Sequence, residues 1–166
     1  MTPIYHLLGG FTLSKIATGY FVPEIIIASV LPDILGTVPM VIDKAVDSIK
    51  FPEGNVIKKF KKDLLGTTFL KPIDKFLYRI THSFTAVAIF GILFYLYFPE
   101  NYILMTFSYF LHLAIDVPTH SKDWATRLLY PFSDFHIDGY NWWENKKVSL
   151  IFWLVLAVIA FKVFYL

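Results

Sequence analysis

The chain has 166 residues, of which 56% are hydrophobic, 19% are aromatic and only 17% are charged. Ordinary soluble domains are about 45–50% apolar and about 25% charged, so this composition is typical of a protein whose solvent is partly lipid. The absence of cysteine excludes disulfides and thiolate metal sites, and a net charge of +2 is too small to predict nucleic acid as a partner. We expect a single membrane-embedded domain over residues 1–166.

The first apolar segment, residues 6–34, is interrupted by GYFVP at residues 19–23. One helix over residues 6–33 would be about 40 Å long, which exceeds the hydrocarbon core of a bilayer. Because glycine and proline are typical of a break, we predict a broken hairpin of two short helices, at 5–18 and 23–32. The N-terminal MTPIYHLLGG has neither a basic region nor a small-residue cleavage site, so we expect no removable signal peptide.

The next segment, residues 44–79, is polar and contains nine lysines and arginines against four aspartates and glutamates. Ile57, Phe60 and Leu64 recur among lysines at helical spacing, which predicts a basic amphipathic helix lying along anionic lipid headgroups. The alternative is that these charges only fix the topology. On either interpretation, the excess of positive charge predicts that residues 44–79 lie in the cytoplasm.

Three later apolar segments approach the length of about 20 residues that crosses a bilayer, and they are residues 83–98, 102–118 and 148–166. Only Pro99-Glu100-Asn101 separates the first two, so they form an antiparallel hairpin with its turn outside and the 119–148 loop in the cytoplasm. The fold prediction is therefore an all-α, multi-pass bundle in the cell's inner membrane. It has about three full spans, the N-terminal broken hairpin and the interfacial helix.

Titratable side chains gather at one end of the predicted hairpins. Folding at residues 99–101 places residue 82 level with the end of the returning helix, so His82, His112 and Asp116 lie near the cytoplasmic face. The N-terminal hairpin brings His6 and Asp33 to the same face. All five histidines converge there, because the other two lie in the loop on that side, at His120 and His136.

Imidazole and carboxylate are ligands of Zn²⁺, Mn²⁺ and Fe²⁺, and residues four apart, such as His112 and Asp116, share one face of a helix. Taken singly, each residue has a simpler explanation: a His–Asp pair can seal a helix end, and Asp33 can cap a helix. His6 alone can be interfacial, and His136 alone can be an ordinary loop residue. Their joint convergence at membrane depth predicts a metal centre.

The order of these residues resembles the YdjM-like membrane-bound metal-dependent hydrolases of bacteria and archaea. It is also similar to the ligand order of the zinc-dependent phospholipase C and single-strand nuclease superfamily. The resemblance covers residues 6–136 and is carried by His6, Asp33 in LPDI, His82 in THS, His112-x-x-x-Asp116, His120 and Tyr130-Pro131.

The resemblance implies a hydrolase with two zinc ions, or three. A first ion would be held by Asp33, His82, His112 and Asp116. A second ion would be held by His6 and by Asp116, whose carboxylate would bridge the two ions. By the same resemblance, His120 and His136 would serve a third ion or orient the substrate.

Three positions, in two places, depart from the patterns that the resemblance implies. Residues 77–78 are Leu and Tyr where such hydrolases often carry a His-Arg pair. Tyr140 stands where the secreted phospholipases have a final glutamate, a place that Asp134, Asp138 or Glu144 could take.

The function prediction is hydrolysis of a phosphoester in a lipid or lipid-linked substrate by metal-activated water. Asp33 or Asp116 would assist deprotonation of the water, and three basic side chains would neutralise phosphoryl charge, namely Arg79, Lys122 and Arg127. Anionic membrane lipid is the expected partner. The alternative is a metal-binding membrane protein without hydrolysis, such as a transporter, sensor or assembly factor, and a purely structural bundle would scatter its histidines.

Overall fold

The structure, a computed structural model, describes residues 3–50, 57, 71–140 and 146–165. Within these residues it is all-helical, with a short 3₁₀ turn at Lys122–Trp124, which confirms the predicted fold class at that level. The α-helices are α1 (Pro3–Thr18), α2 (Pro23–Gly36), α3 (Val38–Lys50), α4 (Pro72–Thr81), α5 (Phe84–Tyr97), α6 (Tyr102–Thr119) and α7 (Lys146–Tyr165). The predicted basic amphipathic helix lies outside the described residues, apart from Ile57.

The N-terminal hairpin breaks where the sequence predicts it. Gly19 adopts a φ of 78°, which favours glycine, and Pro23 occupies the first position of α2. The Ser14 hydroxyl fastens the turn, since it accepts a hydrogen bond from the Val22 backbone N–H at 2.6 Å and donates one to the Tyr20 carbonyl at 2.9 Å. Helix α2 continues past the predicted end at residue 32 as far as Gly36, with Pro32 inside it.

The two hairpins, α1–α2 and α5–α6, have their turns at the same end of the molecule. The Asn101 side chain in the second turn donates a hydrogen bond to Glu24 Oε1, in the first turn of α2, at 3.0 Å. The open ends of both hairpins therefore face the other way. Between the hairpins lies a buried core of Ile25, Ala28, Ala86, Phe94, Met105, Tyr109 and Leu113.

Two glycines allow close helix packing around α2. A Cβ added to Gly10 in α1 would lie 2.8 Å from the Cβ of Ser29 and 3.0 Å from the Cα of Ile26. A Cβ added to Gly36 at the end of α2 would lie 3.0 Å from the Cα of Tyr78 in α4. At these two positions the backbone of α2 thus closely approaches the backbones of α1 and α4.

Helices α3 and α4 bury their polar faces and expose apolar ones. In α3, Lys44 and Ser48 are buried, whereas Ile42 and Ile49 are exposed. Helix α4 follows the same arrangement, with Asp74, Tyr78 and Thr81 buried and Ile73 and Phe76 exposed. An amphipathic helix in water packs the opposite way, so the outer faces of α3 and α4 suit an apolar medium.

The prediction of three full spans, at 83–98, 102–118 and 148–166, is not confirmed. Among the described residues, one helical segment, Lys147–Phe164 in α7, is long and apolar enough to cross a bilayer alone. Helix α5 has 14 residues and is therefore about 21 Å long, and α6 is made less apolar by His112 and Asp116. The number of candidate spans rises to as many as three if each of two bent helix pairs forms one span. These pairs are α2 with α3, bent by 43°, and α4 with α5, bent by 64°.

The close packing of α1 on α2 gives a matched pair of substitutions. We expect Gly10→Ala to destabilise the protein by about 1–3 kcal/mol, because the added methyl group overlaps Ser29. A Cβ at Gly9 meets nothing within 4 Å, so Gly9→Ala should be neutral or stabilising by about 0.5–1 kcal/mol. Thermal unfolding of the detergent-purified variants measures both, and equal effects would contradict the packing.

Candidate metal centre

Five titratable side chains meet at the open ends of the two hairpins. His6 comes from the start of α1, Asp33 from the end of α2, His82 from the junction of α4 and α5, and His112 and Asp116 from α6. Their exposed fractions are 1%, 7%, 0%, 1% and 1%, respectively. Charged groups removed from water to this extent need compensating partners, since desolvation otherwise costs several kcal/mol per ion.

Backbone carbonyls fix the position of the Nδ1 proton on two imidazoles. His112 Nδ1 lies 2.7 Å from the Ser29 carbonyl oxygen, and His82 Nδ1 lies 2.9 Å from that of Tyr78. A carbonyl oxygen can only accept, so Nδ1 carries the proton in each ring and a neutral ring has its lone pair on Nε2. The two Nε2 atoms face each other at 3.3 Å. Two facing lone pairs repel unless a cation or a further proton lies between them, and this orientation is typical of metal-binding histidines.

The Asp116 carboxylate directs its two oxygens at different histidines. Oδ2 lies 3.1 Å from His112 Nε2 and 3.6 Å from His82 Nε2. Oδ1 lies 3.2 Å from His6 Nε2 and 3.3 Å from His120 Nδ1. This is the arrangement that a bridging carboxylate needs.

Asp33 completes the first of these groups. Its Oδ1 lies 3.6 Å from His82 Nε2 and 3.9 Å from His112 Nε2. Each of these two imidazole nitrogens thus has one oxygen of Asp33 and one of Asp116 within 4 Å, and nitrogen and oxygen donors of this kind are ones that zinc accepts. Thr37 donates a hydrogen bond to the same Asp33 oxygen at 3.2 Å, whereas Asp33 Oδ2 is buried without a hydrogen-bond partner among the described residues.

His6 is buried without hydrogen bonds to either ring nitrogen within the described part of the chain. Its ring stacks on that of His112, with centroids 3.5 Å apart and an interplanar angle of 21°. The Nε2 atom is close to Asp116 Oδ1 but is not aligned to donate to it. A buried polar atom left unsatisfied costs about 1–3 kcal/mol, which a metal ligand bond at Nε2 would recover.

Two sets of donor atoms lie within 4.8 Å of one another and could hold an ion. They are His6 with Asp33 and His112, and His82 with His112 and Asp116. Because His112 Nε2 has a single lone pair, it can bind only one ion. If two ions bind, the ion beside His6 therefore needs Asp116 Oδ1 as a further ligand. The nitrogen and oxygen donors suit Zn²⁺, Mn²⁺ and Fe²⁺ alike.

The two loop histidines differ in position. His120 ends α6, and its Nδ1 lies 3.2 Å from the Asp116 carbonyl, so this nitrogen carries the proton and also points at the Asp116 carboxylate. His136 is half-buried, with its ring 3.0 Å from the Asp134 carbonyl and 3.8 Å from Asp138 Oδ1, and it belongs to neither triad. The convergence predicted for all five histidines thus includes His120, and the structure does not bring His136 into these groups.

Backbone hydrogen bonds hold the loop that carries these histidines against the end of α6. The Gly139 N–H donates to the His120 carbonyl and the Tyr140 N–H to the Pro118 carbonyl, both at 2.8 Å. A Cβ at Gly139 would lie 2.5 Å from the Val117 carbonyl oxygen, so only glycine allows this approach. The loop is therefore fixed beside the candidate metal ligands.

The predicted basic residues occupy two different environments. Arg79 Nη1 and Arg127 Nε both pair with Asp134 Oδ1, at 3.1 and 3.4 Å, and Asp134 itself is 73% exposed. Burial lowers the pKa of the Arg127 guanidinium, and the positive charge of Arg79 acts in the same direction. Lys122 is exposed, and its backbone N–H donates to Asp138 at 2.8 Å.

Sequence reasoning missed the partners that orient the ligands. The Ser29 and Tyr78 carbonyls hold the two imidazoles, and the Tyr78 ring stacks on His82 with centroids 4.2 Å apart. Every residue has a carbonyl, so no side-chain pattern marks these acceptors. In the sequence, Tyr78 stands out only as a departure from a His-Arg pair.

The geometry predicts which histidine is needed for metal binding. We expect His112→Ala to lose most of the bound metal, because His112 belongs to both triads, whereas His136→Ala should retain it. Elemental analysis of the two purified variants and the parent protein measures this. Equal metal content in parent and His112→Ala, or no metal in the parent, would contradict the site.

Comparison with known proteins gives one positive finding. A family model described as YdjM inner membrane protein matches residues 1–165. A search of the curated proteins and a search of the solved structures found no match. The likeness in ligand order to the phospholipase C superfamily remains a prediction. Because the family model spans nearly the whole chain, this protein belongs to the YdjM inner membrane protein family.

Proposed function

We propose that this protein is a metal-dependent hydrolase of the inner membrane that cleaves phosphoester bonds in a lipid or lipid-linked substrate. The observation that carries the proposal is the Asp116 carboxylate, whose two oxygens face different histidines. Hydrolases of phosphoesters commonly use two ions about 3.5–4 Å apart, which a bridging carboxylate can hold. One ion would bind His82, His112, Asp33 and Asp116, and another would bind His6 and Asp116.

The bound divalent ions would supply a water nucleophile of lowered pKa and neutralise phosphoryl charge. The protein's own groups would do the remaining work. Asp33 Oδ2, buried and without a hydrogen-bond partner among the described residues, is placed to take the proton of the attacking water. As the new P–O bond forms, the ester P–O bond breaks, and the leaving alkoxide takes up a proton, balancing the one that Asp33 removed, to become the alcohol. Asp116 would assist as the second carboxylate.

The pairing of two arginines with Asp134 supports an anionic substrate. Arg79 and Arg127 share one exposed carboxylate oxygen, which can move away because its side chain is 73% exposed. A phosphate group carries more charge and suits guanidinium geometry well. We infer that substrate phosphate takes the place of Asp134, with Lys122 as a further cation at the loop surface.

The apolar surroundings of the site support a lipid as the substrate. The outer faces of α3 and α4 are apolar, and α7 can cross a bilayer. Asp33 lies about 14 Å from Glu24 along α2, so the ligands are within the depth of a bilayer measured from the hairpin turns. A soluble metabolite would have to enter this environment from water, whereas a lipid headgroup reaches it laterally.

The burial of the ligands favours one alternative, a metal-binding membrane protein without hydrolysis. Structural metal sites are closed, whereas catalytic sites keep a coordination position open to substrate. Five ligands at 7% exposure or less match the closed type in this respect. Metal that is retained without any hydrolysis would identify this alternative.

Substitution of the predicted proton acceptor tests hydrolysis. Asp33→Asn should lower phosphate release from phosphatidic acid or an isoprenoid phosphate by about 10²–10⁴-fold, and a chelator should abolish it. Glu24→Gln makes the same carboxylate-to-amide change at the opposite end of α2 and should leave release unchanged. If the metal-loaded parent protein releases no phosphate from either substrate, hydrolysis is excluded and the non-catalytic alternative is supported.

The cysteine-free chain permits a direct test of sidedness. Glu100→Cys, in the turn between α5 and α6, should react with a membrane-impermeant maleimide in intact cells stripped of the outer membrane. Phe132→Cys, in the loop beside the ligands and 88% exposed, should react only after permeabilisation, since the basic residues of 44–79 predict a cytoplasmic site. The reverse labelling pattern would place the ligand end outside.

A further inference from the structure

An apolar cavity runs beside the metal ligands, between α1, α6 and α7. Its volume is about 370 Å³, which lies in the range of about 300–1,000 Å³ that ligand pockets occupy. Helix α1 lines it from near its start to near its end, and α7 forms the opposite wall. The lining includes Tyr5, Gly9, Ile16, Leu111, Ile115 and Ile159.

Three pairs of consecutive residues connect this cavity to the ligand cluster. Tyr5, Leu111 and Ile115 line the cavity, and the next residue in each case is a ligand candidate, namely His6, His112 and Asp116. Successive side chains on a helix point about 100° apart, so α1 and α6 each present one face to the cluster and the adjacent face to the cavity. The cavity therefore begins alongside the predicted position of the reacting phosphate.

The cavity extends from the ligand cluster towards the turns of the hairpins. From Tyr5 to Ile16 the rise along α1 is about 16 Å. Beside the cluster, the Tyr5 ring packs on Phe152 and Trp153 of α7, with centroids 6.3 and 5.0 Å away. Near the turns, Phe164 packs on Phe11 at 5.9 Å. The lining is apolar apart from the hydroxyl-bearing Tyr5 and Thr12, and the His/Asp cluster lies beside one end of the cavity.

We propose that this cavity binds the hydrocarbon chain of the lipid substrate while the phosphate lies at the His/Asp cluster. The inference rests on the proposed function, and it specifies the substrate as a phosphate ester of a long, unbranched or isoprenoid chain. The cavity matches such a molecule in polarity. Its position sets the hydrocarbon chain parallel to α1, with the ester bond at the cluster.

A second apolar groove provides the comparison. It has a volume of about 690 Å³ and lies on the outer face of α5 and α6, where Phe84, Ile92 and Phe107 line it. None of the residues that line it is directly followed in the chain by a residue of the two triads. Ordinary annular lipid can occupy it.

Photocrosslinking distinguishes the cavity between α1, α6 and α7 from the groove on α5 and α6. A long-chain alkyl phosphate with a photoreactive group in its chain is added to the detergent-purified protein, and the labelled peptides are identified by mass spectrometry. We expect labels on α1, on α7 and on residues 111–115 of α6. Labels confined to α5 and residues 102–110 of α6, or labels spread evenly over all apolar surfaces, would overturn the proposal.

Cavity-filling substitutions supply the matched control. Gly9 lines the cavity and a Cβ there meets no atom within 4 Å, so the side chain of Gly9→Trp begins in open space on the cavity wall. It should abolish labelling of α7 and leave metal content and folding unchanged. Ile92→Trp adds the same ring to the other groove, where Ile92 is 62% exposed, and should leave labelling of α7 unchanged. Unchanged labelling in Gly9→Trp would refute the proposal.

Hydrolysis measured on two chain lengths separates this inference from the proposed function. Gly9→Trp should slow release of phosphate from a long-chain substrate and spare that from butyl phosphate. If hydrolysis occurs but both substrates respond equally, the cavity proposal fails and the hydrolase proposal stands. If labelling maps to the cavity but no substrate is hydrolysed, the hydrolase proposal fails and the cavity still stands as a binding site for the hydrocarbon chain.

Discussion

The structure depends on a buried cluster in which the lone pairs of histidine nitrogens and aspartate oxygens face one another away from water. His82 and His112 face each other through Nε2 at 3.3 Å, and Asp116 directs an oxygen at both. Neutral imidazoles and ionised carboxylates in this arrangement repel one another without a positive charge between them. The backbone carbonyls at residues 29 and 78 prevent either ring from turning its N–H inward. A cation bound among these side chains would remove that repulsion.

The architecture follows from bringing those side chains together. Two hairpins with turns at one end place five residues, from α1, α2, α6 and the junction of α4 and α5, at the other end. Gly10 and Gly36 let α2 approach α1 and α4 closely, which positions Ser29 and Tyr78 against the imidazoles. Helices α3 and α4 turn polar side chains inward and apolar ones outward, so the polar interior is enclosed by a surface suited to lipid.

Much of this arrangement was predictable from spacing. The glycine and proline at 19–23 and the short turn at 99–101 fixed the two hairpins, and these set the register of His6, Asp33 and the α6 ligands. The carbonyl partners were not predictable, because backbone acceptors leave no mark in a sequence. The position of His136 and the bent helix pairs also escaped prediction, since both depend on how loops and helices pack.

The most direct test of the account is an X-ray absorption spectrum of the metal in purified protein. The structure predicts a first shell of nitrogen and oxygen at about 2.0–2.2 Å, with the outer scattering typical of imidazole. Sulfur cannot contribute a thiolate, because the chain has no cysteine. A first shell of oxygen alone, without imidazole, would contradict the central claim that the buried histidines bind the metal.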